Sequence, residues 1–470
     1  MGFGLAGEEA GGVRITDLNP AHDVGASSWY VEFEGHRLLM DAGVHPKREG
    51  RESLPLFERI QSDELDAIAI THCHHDHVGG LPVAVRRFPK AHVLMTELSY
   101  FLVDRVLHNS VNVMVRQRDE LGIQEYPLFT HTEVDEIEAI FQAFRYQREV
   151  EWASFGKLRA GHRSPTVEFL DAGHALGSAG LMVRGEHETL FYTGDVSFRD
   201  QTILKGARFE DVQADVLVME TTRGARGVEP GFTREAEIER LAEAIREVQA
   251  RKGAVLIPVF ALGRTQEILA LLALLMNSGR LPRQSVYIGG LGRVFTEIYD
   301  IQAHRTHRHH SNLALTEALD LQVLDRRQLE GIKLGGGRLF VMTSGMMNRN
   351  TAAYELGLRM IEDERHGIFF VGYADPATPA GKLRAAAHGG TVEFGGQDRV
   401  LTRKCDLREF DLTAHANRDE LLDLVGRVSP KTVILGHGEE DARAWFREAI
   451  RARYPRVRVA DSGPGETVEA

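Results

Sequence analysis

Six consecutive residues, 72–77, constrain this chain more than any other feature, and they read His-Cys-His-His-Asp-His. They follow residues 65–70, a short apolar run that is typical of a β-strand. Imidazole nitrogens and carboxylate oxygens are ligands that borderline metals such as zinc prefer. His72 and His74 lie two residues apart, so in an extended segment both side chains point to the same side. Asp76 and His77 then precede two glycines that indicate a turn. This one stretch can therefore face two metal ions.

Further strand ends along the chain carry a histidine or a carboxylate. Each such residue follows a short apolar run, and glycines that permit close approach of the backbone stand nearby. These residues are Asp41, His174, Asp195 and His437. A single aspartate in such a position is usually a turn or helix cap. Together with the 72–77 stretch, so many strand ends of one kind are hard to ascribe to capping, and they predict a metal centre.

The order of these residues resembles the metallo-β-lactamase fold in its hydrolase form. Glu220, His415 and His437 resemble the three additional motifs of the β-CASP nucleases, a family of metallo-β-lactamase-fold ribonucleases. The blocks at 255–267 and 343–347 are similar to parts of the β-CASP domain. The resemblance covers almost the whole chain. It implies an α/β protein: a metallo-β-lactamase αββα sandwich with an inserted β-CASP domain built on a mainly parallel sheet.

The resemblance also implies two Zn²⁺ ions per chain and a specific division of their ligands. One ion is expected on His72, His74 and His174. The other is expected on Asp76, His77 and His437, with Asp195 bridging the two. Asp41 is expected to orient a ligand imidazole from behind.

The same resemblance implies hydrolysis of phosphodiester bonds in RNA, most readily as an endoribonuclease. Two ions activate a hydroxide and neutralise charge on the phosphate, while His415 protonates the leaving oxygen and Glu220 holds its ring. The residues expected to be catalytic are Glu220, His415, Asp76 and Asp41. The residues expected to bind the RNA substrate are Ser344, Gly345 and Arg264.

Three segments depart from the family pattern, at residues 220–224, 289–293 and 413–417. Glu220 and His415 are retained, so the departures bear on substrate preference rather than on hydrolysis. Two alternatives remain open. One is a hydrolase of DNA or of small phosphodiesters or esters; an enzyme for small esters or thioesters would need the metal ligands but not Glu220, His415 or so large an insertion, whereas the choice between RNA and DNA stays open. A non-catalytic scaffold should have lost metal ligands, and all of them are present.

Composition bears on the partners and on the compartment. The net charge of −12 disfavours nucleic-acid binding, because phosphate contacts usually need a basic face, although bound metal ions add local positive charge. The only two cysteines, Cys73 and Cys405, exclude a disulfide framework, and we expect Cys73 to be buried and inert. Residues 1–6 do not resemble a secretory signal and no apolar run has the length of a membrane span. We expect a cytoplasmic protein without a membrane partner, and homodimerisation is a further expectation.

The pattern of elements predicts three segments: 1–221 and 411–470 as the two parts of the metallo-β-lactamase domain, and 222–410 as the β-CASP domain. The first strands should form an antiparallel sheet, and residues 98–160 should be mostly helical. From Thr233 onward strands and helices alternate, which predicts a parallel sheet covered on both faces. The glycines at 289–293 and 335–337 predict turns, and the histidine-rich run 304–310 predicts a mobile surface loop.

Overall fold

The chain folds into two compact units in the computed structural model, which describes residues 12–62, 64–152, 165–394 and 400–470. Of these described residues, the first unit contains those up to 199, then 206–227 and 415–470, and the second contains 200–205 and those within 228–414. The predicted domain boundaries, at 221/222 and 410/411, lie within a few residues of the unit boundaries at 227/228 and 414/415, and they stay a prediction. Residues 1–6 and the part of the expected helical region beyond residue 152 that ends at 160 lie outside the described residues.

The β-strands and α-helices are numbered along the chain. The strands are β1 (Arg14–Asp17), β2 (Trp29–Phe33), β3 (His36–Met40), β4 (Ala67–Ala69), β5 (His92–Thr96), β6 (Phe141–Phe144), β7 (Val150–Glu151), β8 (Thr166–Asp171), β9 (Ala179–Arg184), β10 (Thr189–Tyr192), β11 (Val216–Glu220), β12 (Val255–Pro258), β13 (Val286–Gly289), β14 (Leu321–Leu324), β15 (Leu339–Met342), β16 (Gly367–Phe370), β17 (Thr391–Glu393), β18 (Val400–Thr402), β19 (Asp406–Glu409), β20 (Thr432–Gly436), β21 (Arg458–Ala460) and β22 (Thr467–Glu469). The α-helices are α1 (His75–Val78), α2 (Leu81–Arg87), α3 (Glu97–Leu121), α4 (His131–Ile137), α5 (Arg234–Ala250), α6 (Arg264–Asn277), α7 (Gly290–Ile301), α8 (Leu315–Ala318), α9 (Arg326–Gly331), α10 (Ala352–Met360), α11 (Pro379–Ala385), α12 (Arg418–Val428) and α13 (Glu440–Arg453).

The first unit is a sandwich of two sheets with helices outside. One sheet has the order β22-β1-β2-β3-β4-β5-β6 and the other β21-β20-β11-β10-β9-β8-β7. Apolar side chains of both sheets, such as Phe33 and Phe169, form one buried core between them. The opposite face of the second sheet packs against α12 and α13, through residues such as Leu424 and Phe446. Helix α3 packs against β5 and β6 of the first sheet. The αββα sandwich is confirmed.

Two details of the first unit differ from the sequence-based expectation. Strands β1 to β3 pair antiparallel as predicted, but β3 to β6 pair in parallel. Helices α3 and α4 occupy much of the region expected to be helical, but β6 begins at Phe141 and β7 follows, so the helical prediction is wrong for residues 141–152. Pairing with the open edge of β5, where Val93 is opposite Phe141, overrides the local helical pattern.

The second unit is built on a sheet with the order β14-β13-β15-β12-β16-β19. Every pairing in this sheet is parallel, as the alternation of strands and helices predicts.

Residues 289–293 are not a turn, since α7 begins at Gly290. The run 304–310 is not wholly a surface loop either. Arg308 is buried and donates to the carbonyl oxygen of Leu313 at 2.6 Å, so its guanidinium anchors the segment. In the described part of the chain, no helix is both long and apolar enough to cross a bilayer.

Gly43, in the loop after β3, fixes how closely the 72–77 stretch packs in the first unit. Ala42 donates its backbone N–H to the carbonyl oxygen of His77 at 2.8 Å, and Val44 donates to that of His75 at 3.0 Å. Between these two bonds, a Cβ atom on Gly43 would lie 1.8 Å from the carbonyl oxygen of Asp76. Only glycine allows the two backbones to approach this closely.

We therefore expect Gly43→Ala to push the 72–77 stretch away and to destabilise the protein by about 1–3 kcal/mol, the usual range for overpacking. Denaturant unfolding followed by circular dichroism measures the loss. Gly372→Ala is the matched control, because a Cβ there meets nothing within 4 Å. Equal stabilities for the two variants would contradict the steric role of Gly43.

Candidate metal centre

The direction of the strands brings the predicted ligands of the first unit to one edge. Strands β10, β11 and β20 run in parallel, and β8 has the same direction because it and β10 each pair antiparallel with β9. Their carboxyl ends therefore meet at the same edge of the sheet. His174, Asp195 and His437 follow three of these ends, and Glu220 is the last residue of β11. The 72–77 stretch follows β4 and enters α1 at His75.

The predicted ligands lie in two groups. The ligand atoms of one group lie within 4.8 Å of one another, and so do those of the other. The first group is His72, His74, His174 and Asp195, and the second is Asp76, His77 and His437. This is the division that the sequence resemblance implies; that the two groups bind zinc stays a prediction.

Asp195 lies between the two groups with one carboxylate oxygen toward each. Its Oδ2 is 3.6 Å from His72 Nε2 and 3.7 Å from His174 Nε2. Its Oδ1 is 3.5 Å from His77 Nε2 and 3.1 Å from His437 Nδ1. A carboxylate placed in this way can be shared by two cations.

Unsatisfied buried atoms show that these residues fit metal ions. Among the described residues, His72 Nε2, His77 Nε2 and Asp195 Oδ1 are buried without a hydrogen-bond partner. A buried polar atom left unpaired costs roughly 1–3 kcal/mol, and native proteins contain few of them. All three atoms face the same pocket, so cations bound there would satisfy them together.

The electrostatics of the pocket also favour positive charge. Burial lowers the pKa of His72, which keeps its imidazole neutral and able to coordinate. Burial opposes charge on His437 as well, but Asp195 and Asp76 raise the pKa of its imidazole to about 10. Burial likewise disfavours the charged form of Asp195, yet His437 and His77 hold its pKa well below the usual range. The carboxylates thus stabilise cationic charge in this pocket, whether it is carried by protons or by metal ions.

Asp41 lies behind His77, and its role in orienting that imidazole stays a prediction. It is fully buried, and its Oδ2 lies 2.8 Å from His77 Nδ1. The hydroxyl of Tyr192 donates to the same oxygen at 2.9 Å, and the backbone N–H of Thr71 donates to Oδ1 at 2.7 Å. These bonds place the proton of His77 on Nδ1 and direct Nε2 into the pocket.

Thr71, Tyr192 and Thr222 are supporting residues that the sequence analysis missed. Thr71 stands next to His72, Tyr192 ends β10 shortly before Asp195, and the Thr222 hydroxyl lies 3.0 Å from His437 Nδ1. For Thr71 and Tyr192 the sequence offered one signal, their closeness to a predicted ligand, whereas Thr222 becomes a neighbour of His437 only in the fold.

Glu220 and His415 form a pair at the margin of the pocket. Glu220 is buried, its Oε1 accepts the backbone N–H of Val196 at 2.6 Å, and its Oε2 lies 3.0 Å from His415 Nδ1. The His415 ring lies 4.6 Å from the ring of His174, centroid to centroid, and its side chain is 19% exposed. Burial disfavours the charged imidazole, but Glu220 and Asp195 raise the pKa of His415 above its usual value. A partly exposed, readily protonated imidazole therefore stands beside the first ligand group.

The residues predicted to bind substrate lie in the second unit. Ser344 and Gly345 follow β15, and the Ser344 hydroxyl accepts the backbone N–H of Asn348 at 3.0 Å. Arg264 is buried, and its guanidinium donates to the carbonyl oxygen of Leu412 and to the side chain of Gln201. Burial lowers its pKa to about 10. This environment argues against direct contact between Arg264 and a substrate, and we attribute a packing role to it.

The fold and the site together define a protein of the αββα class with a candidate dinuclear metal centre. Residues 23–258 match the metallo-β-lactamase superfamily, residues 265–383 match the β-CASP domain, and residues 400–460 match a domain described as the Zn-dependent metallo-hydrolase RNA specificity domain. The chain belongs to the metallo-β-lactamase superfamily and carries the β-CASP insertion.

Curated relatives extend over most of the chain. The cleavage and polyadenylation specificity factor subunit 3 of Dictyostelium discoideum is 27% identical over 460 residues, which is 95% of this chain and 56% of the relative. An endoribonuclease of Saccharomyces cerevisiae is 25% identical over 464 residues, 96% of this chain and 57% of the relative. The chain thus spans little more than half the length of these two proteins. A ribonuclease of Thermus thermophilus is 29% identical over 476 residues, with 97% of this chain and 100% of the relative covered.

A solved structure supports the fold alone. It is the crystal structure of a protein of unknown function from Enterococcus faecalis, 12% identical, with a TM-score of 0.56 over 98% of this chain and 100% of that one.

Because Asp41 fixes the orientation of His77, we expect Asp41→Asn to weaken metal binding by about 10–100-fold, the usual effect of losing a partner of a ligand imidazole. Equilibrium dialysis against buffered zinc, with zinc counted by elemental analysis, measures the change. Asp211→Asn is the control, since Asp211 is an exposed aspartate outside both ligand groups. Unchanged zinc affinity in Asp41→Asn would contradict the positioning role.

Proposed function

We propose that this chain is a zinc-dependent hydrolase that cleaves phosphodiester bonds in RNA, chiefly at internal positions as an endoribonuclease. The observation that carries the proposal is the Glu220–His415 pair beside the two ligand groups. A metal centre alone would suit many hydrolytic reactions. An imidazole held by a buried carboxylate next to that centre suits a reaction in which a poor leaving group needs a proton.

The proposal assigns two Zn²⁺ ions to the chain, one on the His72, His74 and His174 group and one on the Asp76, His77 and His437 group. Imidazole and carboxylate ligands suit zinc, and protein-bound zinc commonly has four ligands, of which catalytic sites leave one position to water. When bound, such ions supply an activated water molecule near neutral pH and compensate charge on a phosphate.

The side chains of the protein then have separate tasks. Asp195 keeps both groups at a fixed separation, and Asp41 keeps His77 in the tautomer that coordinates. Glu220 accepts from Nδ1 of His415 and raises its pKa, which leaves Nε2 of the protonated ring to donate to the departing sugar oxygen. Asp76 contributes to catalysis as a ligand of the second zinc ion.

The alternatives are less well supported by the same residues. A non-catalytic scaffold has no use for complete ligand groups, and all seven predicted ligands lie together in the first unit. A hydrolase of small esters would not need a general acid for a good leaving group. The departures at 220–224 and 413–417 leave Glu220 and His415 in contact. They therefore bear on the preference between substrates such as RNA and DNA rather than on hydrolysis itself.

Two kinds of observation favour RNA as the substrate. The first is the match of residues 400–460 to a domain described by RNA specificity. The second is that the relatives include proteins named as ribonucleases and endoribonucleases.

We include in the proposal a role of Ser344 and Gly345 in phosphate binding through the loop after β15. A cytoplasmic location is also part of it, and the structure has two buried free cysteines, Cys73 and Cys405, of the kind expected in a reducing compartment. Burial raises the pKa of Cys73 to about 12, in keeping with an inert thiol. Homodimerisation stays a prediction.

The direct test uses the pure protein and end-labelled RNA and DNA oligonucleotides of one sequence, with and without a chelator. We expect RNA to be cut at internal positions, DNA to be cut more slowly, and the chelator to stop both reactions. Products shortened stepwise from the 5′ end would indicate an exonuclease. No cleavage of either polymer by zinc-loaded protein would contradict the proposal.

The protein should contain close to two zinc ions per chain after purification without chelators. His74→Ala removes one ligand of the first group and should lower the zinc content toward one ion. Asp195→Ala should lower it further, because Asp195 contacts both groups. Elemental analysis of the folded variants measures this. One ion or none in the unaltered protein would overturn the two-zinc assignment.

His415→Ala should slow cleavage of RNA by roughly 10²–10⁴-fold, the range expected for loss of a general acid. Zinc content should stay near that of the unaltered protein, since His415 belongs to neither ligand group. A p-nitrophenyl phosphodiester has a leaving group that needs little protonation, so its hydrolysis should fall much less. The control is His388→Ala, which removes an exposed histidine of the second unit. Equal losses on both substrates, with zinc retained, would mean that His415 is structural.

Glu220→Gln should lie between the unaltered protein and His415→Ala on RNA. The imidazole remains in this variant, but the charge that raises its pKa is lost. We therefore expect the pH at which RNA cleavage begins to fall to move downward, since a protonated His415 is required and its pKa decreases. A pH–rate profile of the two proteins measures the shift. An unchanged profile would show that Glu220 does not control the protonation of His415.

A further inference from the structure

A second cluster of metal-binding side chains, which shares no residue with the candidate metal centre, lies on α3 and α4. Asp104 and His108 are four residues apart on α3, and His131 and Asp135 are four residues apart on α4. Residues four apart share one face of a helix, and α3 packs against α4. Each helix thus contributes one histidine and one aspartate to the same contact.

His108 is at the middle of this cluster. Its Nε2 lies 2.9 Å from Asp104 Oδ1 and 3.2 Å from Asp135 Oδ1. The ligand atoms of these three residues all lie within 4.8 Å of one another. One imidazole nitrogen therefore stands between two carboxylates that come from different helices.

We propose that Asp104, His108 and Asp135 bind a divalent cation of the zinc class, with water completing its coordination. Bonds of about 2.0–2.1 Å around a tetrahedral zinc place neighbouring ligand atoms about 3.3 Å apart. The two distances from His108 Nε2 are close to that value. One nitrogen and two carboxylate oxygens are also a ligand set that zinc accepts. The inference is independent of the proposed nuclease function.

His131 is the positioning residue of this site. Its Nδ1 lies 2.7 Å from His108 Nδ1, and the two rings stack with centroids 5.0 Å apart. Two ring nitrogens this close need one proton between them. When His108 Nδ1 donates that proton to His131, the lone pair of His108 Nε2 is directed toward the carboxylates, where a cation fits. The stacked partner therefore favours the tautomer of His108 that coordinates a metal.

A proton is the competing occupant of the same place. An imidazolium at His108 would satisfy both carboxylates without a metal ion. Arg105 competes only for Asp104, since its guanidinium lies 3.6 Å from the other oxygen of that carboxylate and is largely exposed. A bound cation would instead join α3 to α4 through His108 and Asp135. Unlike a proton, a zinc ion bound there adds to the zinc content measured per chain.

The test is equilibrium dialysis of the full chain against a series of buffered zinc concentrations, with bound zinc counted per chain. The unaltered protein should bind about one ion more at saturation than His108→Ala. Asp135 is exposed, with 70% of its side chain accessible, so Asp135→Asn keeps the fold and should weaken the same ion at least tenfold. Equal zinc counts for all three proteins across the series would overturn the proposal and would assign the place to a proton.

His304→Ala is the matched control, because it removes an exposed histidine that lies outside this cluster. It should bind as many ions as the unaltered protein. A loss of one ion in His304→Ala equal to that in His108→Ala would mean that zinc binds surface histidines without selection, and it would also overturn the proposal. Because each variant is compared with the unaltered protein at the same free zinc concentration, the result does not depend on how many ions the candidate metal centre holds or on whether RNA is cleaved.

Discussion

The first unit depends on how it keeps the carboxylate of Asp195 charged in its interior. An isolated buried carboxylate would be neutralised, because transfer of charge out of water is costly. Here imidazoles approach both of its oxygens, and they belong to segments that are far apart in the sequence. The same carboxylate favours cationic charge on each side. The pocket is therefore stable only when positive charge is present, and this requirement links folding to metal binding.

Strand direction explains why one edge of the sandwich collects the chemistry. A strand end is where the chain leaves the hydrogen-bonded ladder, so a side chain there is free to turn inward over the edge. Strands β8, β10, β11 and β20 share one direction. Their carboxyl ends therefore lie at the same edge of the sheet although they are separated in the sequence. Backbones must also pack tightly behind these ends. At Gly43 even a methyl group would collide with the carbonyl oxygen of Asp76.

Much of the site could be predicted because ligands are marked by residue type and strand ends by apolar runs. The 72–77 stretch, His174, Asp195 and His437 are of this kind, and the structure brings them together. Two kinds of feature could not be predicted. Thr71, Tyr192 and Thr222 are common residue types, and their hydrogen-bond partners, Asp41 and His437, are distant in sequence. Arg264 stands in a block resembling the family, but nothing local shows that its guanidinium is buried against Leu412 and Gln201. In the fold, β6 was missed because its pairing partner, β5, is distant in sequence from Phe141.

The contact between Glu220 and His415 joins residues that are 195 positions apart, and almost all of the second unit is encoded between them. If that intervening chain were unfolded, bringing the two residues together would cost about 5 kcal/mol in loop-closure entropy. A folded insertion whose ends already lie close together removes most of this cost. Folding of the insertion therefore lowers the cost of completing the first unit, because it brings His415 to Glu220 and, across the same stretch of chain, His437 to Asp76. The first ligand group, His72, His74, His174 and Asp195, is encoded wholly before the insertion, so its assembly does not depend on the second unit in this way.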